Sequence, residues 1–143
     1  MGRAVPDDPV GDLILVDTSA YFALVDRSDR HHSSAVTFIR SNAVPLATTD
    51  LILVETLNLV RVRLGHSRAL RLGRQLFNPT LTTALKISEE DMAKGWRLFQ
   101  RYQDKDFSFT DCTSFALMDR LRITTAFAFD VHFHQYGRFT IVP

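Results

Sequence analysis

Four carboxylates stand in places where a carboxylate is costly: Asp17, Glu55, Asp111 and Asp130. Asp17 directly follows the wholly apolar run LILV at 13–16, and Asp130 directly follows TTAFAF at 124–129. Both fall at the carboxyl ends of expected strands, where open α/β sheets place their ligand crevices. Either could equally be a turn residue that bonds nearby backbone N–H groups. Glu55 shares a helical stripe with Leu51, Ile52, Asn58, Leu59 and Val62, and no Lys or Arg lies three or four residues from it. A buried carboxylate without a partner costs several kcal/mol or takes up a proton. Asp111, in FTDCTSFALM, has Ser114, Phe115 and Met118 at its helical spacings. Its structural alternative is a helix start, with Thr110 as cap and Asp111 in the first turn, where free N–H groups and the helix dipole favour negative charge.

If these four acids meet at one end of a sheet, their repulsion requires that some protonate or that a cation joins them. An all-oxygen set suits a hard divalent ion, Mg²⁺ or Mn²⁺, because Cys112 is the single cysteine and no histidines have metal-site spacing. The chemistry that follows is phosphodiester hydrolysis: ion-activated water attacks in line and the leaving 3′ oxygen is stabilised, giving 5′-phosphate and 3′-hydroxyl ends.

The elements that must position the acids can be read from the periodicity. LILV is a strand covered on both faces, followed by the helix DTSAYFALVD. A second helix is expected over about 31–41, then a brief strand PLAT at 45–48. Thr48 or Thr49 caps the long helix DLILVETLNLVRVRLG, which Gly65 ends, and SRALRLGRQLF is another helix, running to the Asn78-Pro79 break. TTALKI at 82–87 alternates like a strand, Ser88 with Asp91 signals a capping box for EEDMAKGWRLFQRYQ, and RFTIV is a last strand. Strands alternating with helices predict an α/β fold of three layers, α/β/α, with a central, mostly parallel sheet.

Composition narrows the class. With 143 residues, 45% hydrophobic and 23% charged, the chain suits one domain over 12–143, preceded by a loose extension at 1–11. A single cysteine excludes an internal disulfide, and neither a signal-peptide h-region nor a twenty-residue apolar span is present, so a cytoplasmic protein is expected. The net charge of +1 hides a basic stretch over 61–74 with Arg61, Arg63, Arg68, Arg71 and Arg74 and no acid. Such a stretch contacts nucleic acid or an acidic partner, or is a solvated face.

Other residues draw the eye for plainer reasons. His31 and His32 precede a helix as caps or surface groups, and His132 and His134 have strand-like spacing, with His132 the one to border a site at Asp130. Cys112 reads as a packing residue, Asp104 and Asp106 as a solvated loop, and Trp96 and Phe99 share a face with Met92 in the core or at a dimer surface.

Four blocks together, LILVDTSAYFAL, LILVETLNLV, SFTDCTSFALM and AFAFDVHFHQYG, resemble the PIN domains, and within them the VapC-type toxins of toxin–antitoxin pairs, over about residues 13–143. The resemblance implies a metal-dependent endoribonuclease acting on tRNA, rRNA or mRNA, with the family's acidic quartet on Asp17, Glu55, Asp111 and Asp130. It further implies that Thr18 or Ser19, and Thr110, orient ligands and water. A homodimer and a small antitoxin lying across the groove are also implied, with Arg61, Arg63, Arg68 and Arg71 as candidates to meet RNA or antitoxin. The alternatives are a housekeeping PIN nuclease of RNA maturation or decay and a non-catalytic RNA- or protein-binding scaffold. A phosphoacceptor signalling domain fits poorly, since one acid follows the first strand and no lysine follows Lys105. A phosphatase using Asp-x-Asp is opposed by Asp17-Thr18-Ser19.

Overall fold

The computed structural model describes residues 12–143, so the extension expected at 1–11 lies outside the described residues. Five strands run in the chain order β1 (Ile14–Val16), β2 (Leu46–Thr49), β3 (Thr83–Leu85), β4 (Thr125–Phe127) and β5 (Thr140–Val142). They form one sheet in the order β3-β2-β1-β4-β5, parallel throughout. Between β1 and β2 lie helices α1 (Thr18–Val25) and α2 (His32–Ser41); between β2 and β3, α3 (Asp50–Leu64) and α4 (His66–Leu76). Helices α5 (Glu89–Arg101) and α6 (Phe109–Leu121) connect β3 to β4, and α7 (His132–Tyr136) precedes β5.

The strand order builds sequentially from β1 to β3, then returns to the other side of β1 for β4. With right-handed crossovers that reversal sends α1–α4 to one face and α5–α7 to the other, in agreement with the packing of α1 on α2 and α3, α3 on α4, α5 on α6, and α6 on α7. The two strands on either side of the reversal, β1 and β4, are also the two whose carboxyl ends carry Asp17 and Asp130. Their backbones are joined there by Asp17 N–H donating to the Phe127 carbonyl at 3.0 Å. Buried Leu15, Val16, Ala47, Ala126 and Phe127 fill the sheet between the helical layers. The sequence predicts this architecture.

Four local expectations change. The apolar stripe on α3 is not the one carrying Glu55: the helix buries Ile52, Leu53, Thr56 and Val60, and Val62 is 84% exposed. Since DLILVETLNLV is apolar nearly all round, its period selects no single face, and Glu55 sits half-buried at the margin. Helix α6 begins two residues earlier than expected, with Ser108 as N-cap and Thr110 inside the first turn. HFH belongs to α7, a short helix ended by Gly137 at φ 81°, rather than to an extended segment. Trp96 and Phe99 are not core residues; they are exposed and cluster with Phe109. Thr49, of the two threonines considered, caps α3 by accepting from Ile52 N–H.

Helices α5 and α6 approach closely at Gly95. A Cβ there would stand 2.8 Å from Thr113 Cγ2 and 3.1 Å from its backbone, so only glycine lets α6 reach its position over the sheet.

Candidate active site

Asp17 ends β1 and caps α1. Its Oδ2 accepts from the Ser19 amide at 3.2 Å and from the Ser19 hydroxyl at 2.7 Å. The same Ser19 Oγ accepts from Phe129 N–H at 3.0 Å and from Asp130 N–H at 3.4 Å. One hydroxyl therefore fixes the first acid and the turn that presents the last. Asp130 completes that turn by accepting from His132 N–H at 3.0 Å, the local bond that aspartate makes two residues ahead of itself.

Asp111 is the third residue of α6 and takes part in a capping box: Ser108 Oγ accepts from Asp111 N–H and Asp111 Oδ2 accepts from Ser108 N–H, both at 3.0 Å. The structural reading and the chemical one thus coexist in a single residue. Asp111 Oδ2 also lies 2.7 Å from His132 Nδ1, which is 3.8 Å from Asp130 Oδ1. Glu55 reaches in from α3 towards Thr110 and Thr18, whose hydroxyls favour its charged form. Thr18 Oγ1 also bonds Thr56 Oγ1 at 3.0 Å, which ties α1 to α3.

The four acids, from β1, α3, α6 and the turn after β4, therefore act on one another. Asp17 is 4% exposed and its carboxyl is raised well above the ordinary range, first by burial and then by repulsion from Asp130 and Asp111. Glu55 is raised by burial and by Asp111. For Asp111, burial and Asp130 outweigh the opposing bonds from Ser108 and the charge of His132. Burial, and Asp111 next to it, push the Cys112 thiol up to about 11, so this fully buried cysteine is a packing group, as its sequence context predicts.

This donor set fits a hard divalent cation. Among the described residues the one basic side chain in ion-pair contact with these acids is His132, and one ligand atom each from Asp111, Asp130 and His132 lie within 4.8 Å of one another. His132 borders the site at Asp130, as its place two residues further along the chain predicts. The Asp130-Val131-His132 turn delivers the imidazole to the acids from a short helix, where the HFH spacing suggests a strand.

Arg61, Arg63, Arg68 and Arg71 are exposed on α3 and α4. The Arg63 guanidinium lies 5.8 Å from the Phe22 ring centre, and Arg68 faces Asp26 at the end of α1. Asp104 and Asp106 are exposed, Asp104 beside Lys105 at 3.4 Å. His32 Nδ1 bonds the Ala23 carbonyl, and His134 is exposed.

Known proteins share this arrangement. Residues 14–138 match the PIN domain family model. The chain is 30% identical to the 23S rRNA-specific endonuclease VapC20 of Mycobacterium tuberculosis over 131 residues, covering 92% of this chain and 99% of VapC20. The crystal structure of VapC20, described as a sarcin–ricin loop cleaving toxin, superposes with a TM-score of 0.84 over 91% of this chain and 99% of that one. Ribonuclease VapC26 of the same organism is 28% identical over 136 residues, covering 91% of this chain and all of VapC26. VapBC2 from Rickettsia felis, solved bound to promoter DNA, shares the fold at a TM-score of 0.67 and 10% identity, over 90% of this chain and 96% of that one. A five-stranded parallel sheet with acids gathered at its strand reversal, matched by the family model over nearly the whole described length, makes this chain a member of the PIN domain family.

Proposed function

We propose that this protein is a divalent-metal-dependent endoribonuclease, the toxin of a VapBC-type toxin–antitoxin pair, which cuts RNA to leave 5′-phosphate and 3′-hydroxyl ends. The observation that carries the reading is the convergence of Asp17, Glu55, Asp111 and Asp130 from four elements, with the first three raised above their ordinary ionisation range. Buried acids that repel one another destabilise a fold, and a nuclease site gives them a use. Likeness to VapC20 across nearly the full length of both proteins supports ribosomal RNA as the first substrate to test.

Asp17, Asp111 and Asp130, with His132 at their edge, are the groups that would hold Mg²⁺ or Mn²⁺, and Glu55 completes the acidic set. Such an ion lowers the pKa of a bound water and neutralises charge on the phosphate. Ser19 keeps Asp17 and the Asp130 turn in register, and Thr18 and Thr110 aim Glu55. His132 steadies Asp111 and Asp130 in the orientation that metal-site carboxylates need. Arg61, Arg63, Arg68 and Arg71 offer the RNA backbone or an acidic antitoxin tail a basic surface. The working form is a cytoplasmic homodimer restrained by a small antitoxin. Among the described residues no helix is long and apolar enough to cross a membrane.

The test incubates antitoxin-free protein with end-labelled 23S rRNA and tRNA in Mg²⁺, in Mn²⁺ and in EDTA. Discrete cuts bearing 5′-phosphate, abolished by EDTA, are expected. Intact RNA in every metal condition, from folded protein, would remove the nuclease reading.

A further inference from the structure

The loop between α1 and α2 joins a cation, Arg30, through His31 to Phe129, the residue before Asp130. Two aspartates fix the loop: Asp26 Oδ1 accepts from Ser28 N–H and Oγ at 3.0 and 2.7 Å, and Asp29 Oδ1 accepts from His31 N–H at 2.8 Å. The His31 ring then stacks face to face on Phe129, centroids 4.6 Å apart and planes 8° from parallel. Phe129 is the residue before Asp130, and its N–H is held by Ser19 Oγ. Arg30 donates from Nε to His31 Nε2 at 3.1 Å.

This arrangement spends one guanidinium donor on a histidine ring and leaves the planar pair of Nη groups for something else. Arg30 is exposed, and among the described residues no carboxylate pairs with it. A bond from arginine to an imidazole acceptor contributes little to stability at a surface, so the fold gains slightly from it. Its effect is positional: the stack on Phe129, the turn after it and the Ser19 bond link the guanidinium to Asp130. RNA arriving at four acids meets a repulsive field, and a cation at the rim offsets it where a phosphate must sit. Guanidinium Nη groups bind phosphate oxygens in bidentate fashion.

Resting on the nuclease reading, we infer that Arg30, held by the His31–Phe129 stack, is a phosphate-binding residue of this site, gripping the RNA backbone next to the bond that is cut. Aspartates and a stacked ring set the position, and the ligand is a phosphodiester of unpaired RNA that can enter between the loop and the acids.

The experiment measures cleavage kinetics of end-labelled 23S rRNA by the parent, Arg30→Ala, Arg30→Lys and His31→Ala, over a range of salt. Arg30→Ala should raise KM about tenfold, with kcat within about twofold of the parent. It should also flatten the dependence of log KM on log salt by about one unit, the signature of one lost phosphate contact. His31→Ala should raise KM by a smaller factor, and Arg30→Lys should recover part of the loss without restoring the parent value. Mn²⁺ affinity by calorimetry should be the same in all four proteins, which separates this role from damage to the acids. Cleavage by the parent with KM and salt slope unchanged in Arg30→Ala would overturn the inference and leave the nuclease reading in place. A parent that cuts no RNA would overturn both.

Discussion

Helices α5 and α6 open with the same device and put it to opposite ends. In each, a serine N-cap and an aspartate three residues on exchange bonds at 3.0 Å: Ser88 with Asp91, and Ser108 with Asp111. Both aspartates are buried, at 1% and 6% exposure. Burial works against the Asp91 charge, but Arg120 outweighs it, with Nε and Nη2 each 2.8 Å from a carboxylate oxygen, and the carboxyl is held below its ordinary range. Asp111 faces Asp130, Glu55 and Asp17 with one imidazole for company, and lies above that range. A capping box fixes where a carboxylate stands; the charges that meet it decide whether its carboxyl is held below its ordinary range, as at Asp91, or above it, as at Asp111.

Substitution at each box should separate the two roles. On the proposed nuclease reading, Asp111→Asn should lower RNA cleavage by about a thousandfold or more, because it removes one of the acids proposed to hold the metal. The variant's metal-free melting temperature should equal or exceed the parent's, since an amide keeps the Ser108 bond and adds no buried charge. Arg120→Met should do the reverse. It leaves Asp91 buried and unpaired at a cost of about 3–5 kcal/mol in denaturant unfolding, while kcat/KM measured well below the midpoint stays near the parent value. A stable Arg120→Met protein, or an active Asp111→Asn protein, would break the contrast.

Ser19→Ala sharpens it from a third direction, because Ser19 serves both fold and site. Loss of its hydroxyl leaves the Phe129 amide without its acceptor and Asp17 without its closest donor, so a stability loss of about 1–2 kcal/mol is expected together with a cleavage loss of about 10–100-fold. A pure stability effect would place Ser19 with Asp91; a pure activity effect would place it with Asp111.

The smallest effect is in pH. The folded carboxyls of Asp17, Glu55 and Asp111 are raised, so between the ordinary carboxylate value of about 4 and their folded values the native state binds more protons than the unfolded state. Their contribution is therefore fully present below that ordinary value and is lost as pH rises through the folded values. Asp91 behaves oppositely, and its contribution is lost as pH falls through its depressed folded value. Metal-free protein should melt at a higher temperature at about pH 5 than at about pH 7, and Asp17→Asn should reduce the difference. Scanning calorimetry in EDTA across that range measures it, and a melting temperature that rises steadily with pH would contradict the sign.

Much of this was legible in the residues. Asp17 and Asp130 follow apolar runs directly, and the strand order then places both at the one reversal in the sheet. The Ser88–Asp91 box is legible in its spacing, whereas the equal spacing of Ser108 and Asp111 is masked by Thr110, a second cap candidate closer to the acid. Val62 misled because α3 is apolar on several faces and only its packing between sheet and α4 selects one. His132 is legible as a neighbour of Asp130, but the helical state of HFH is not, because five residues are too few to show a period; the His31–Phe129 stack joins residues far apart in the chain, which local pattern does not register.

The most direct test of the contrast is a calorimetric titration of metal-free protein with Mn²⁺ near pH 6.5, in two buffers of different ionisation enthalpy. Saturable binding with release of protons from the acids is expected. It should be lost in Asp111→Asn and kept in Arg120→Met. No binding at millimolar Mn²⁺, or the same binding and proton release in Asp111→Asn as in the parent, would contradict the claim that a divalent cation completes the site at Asp111.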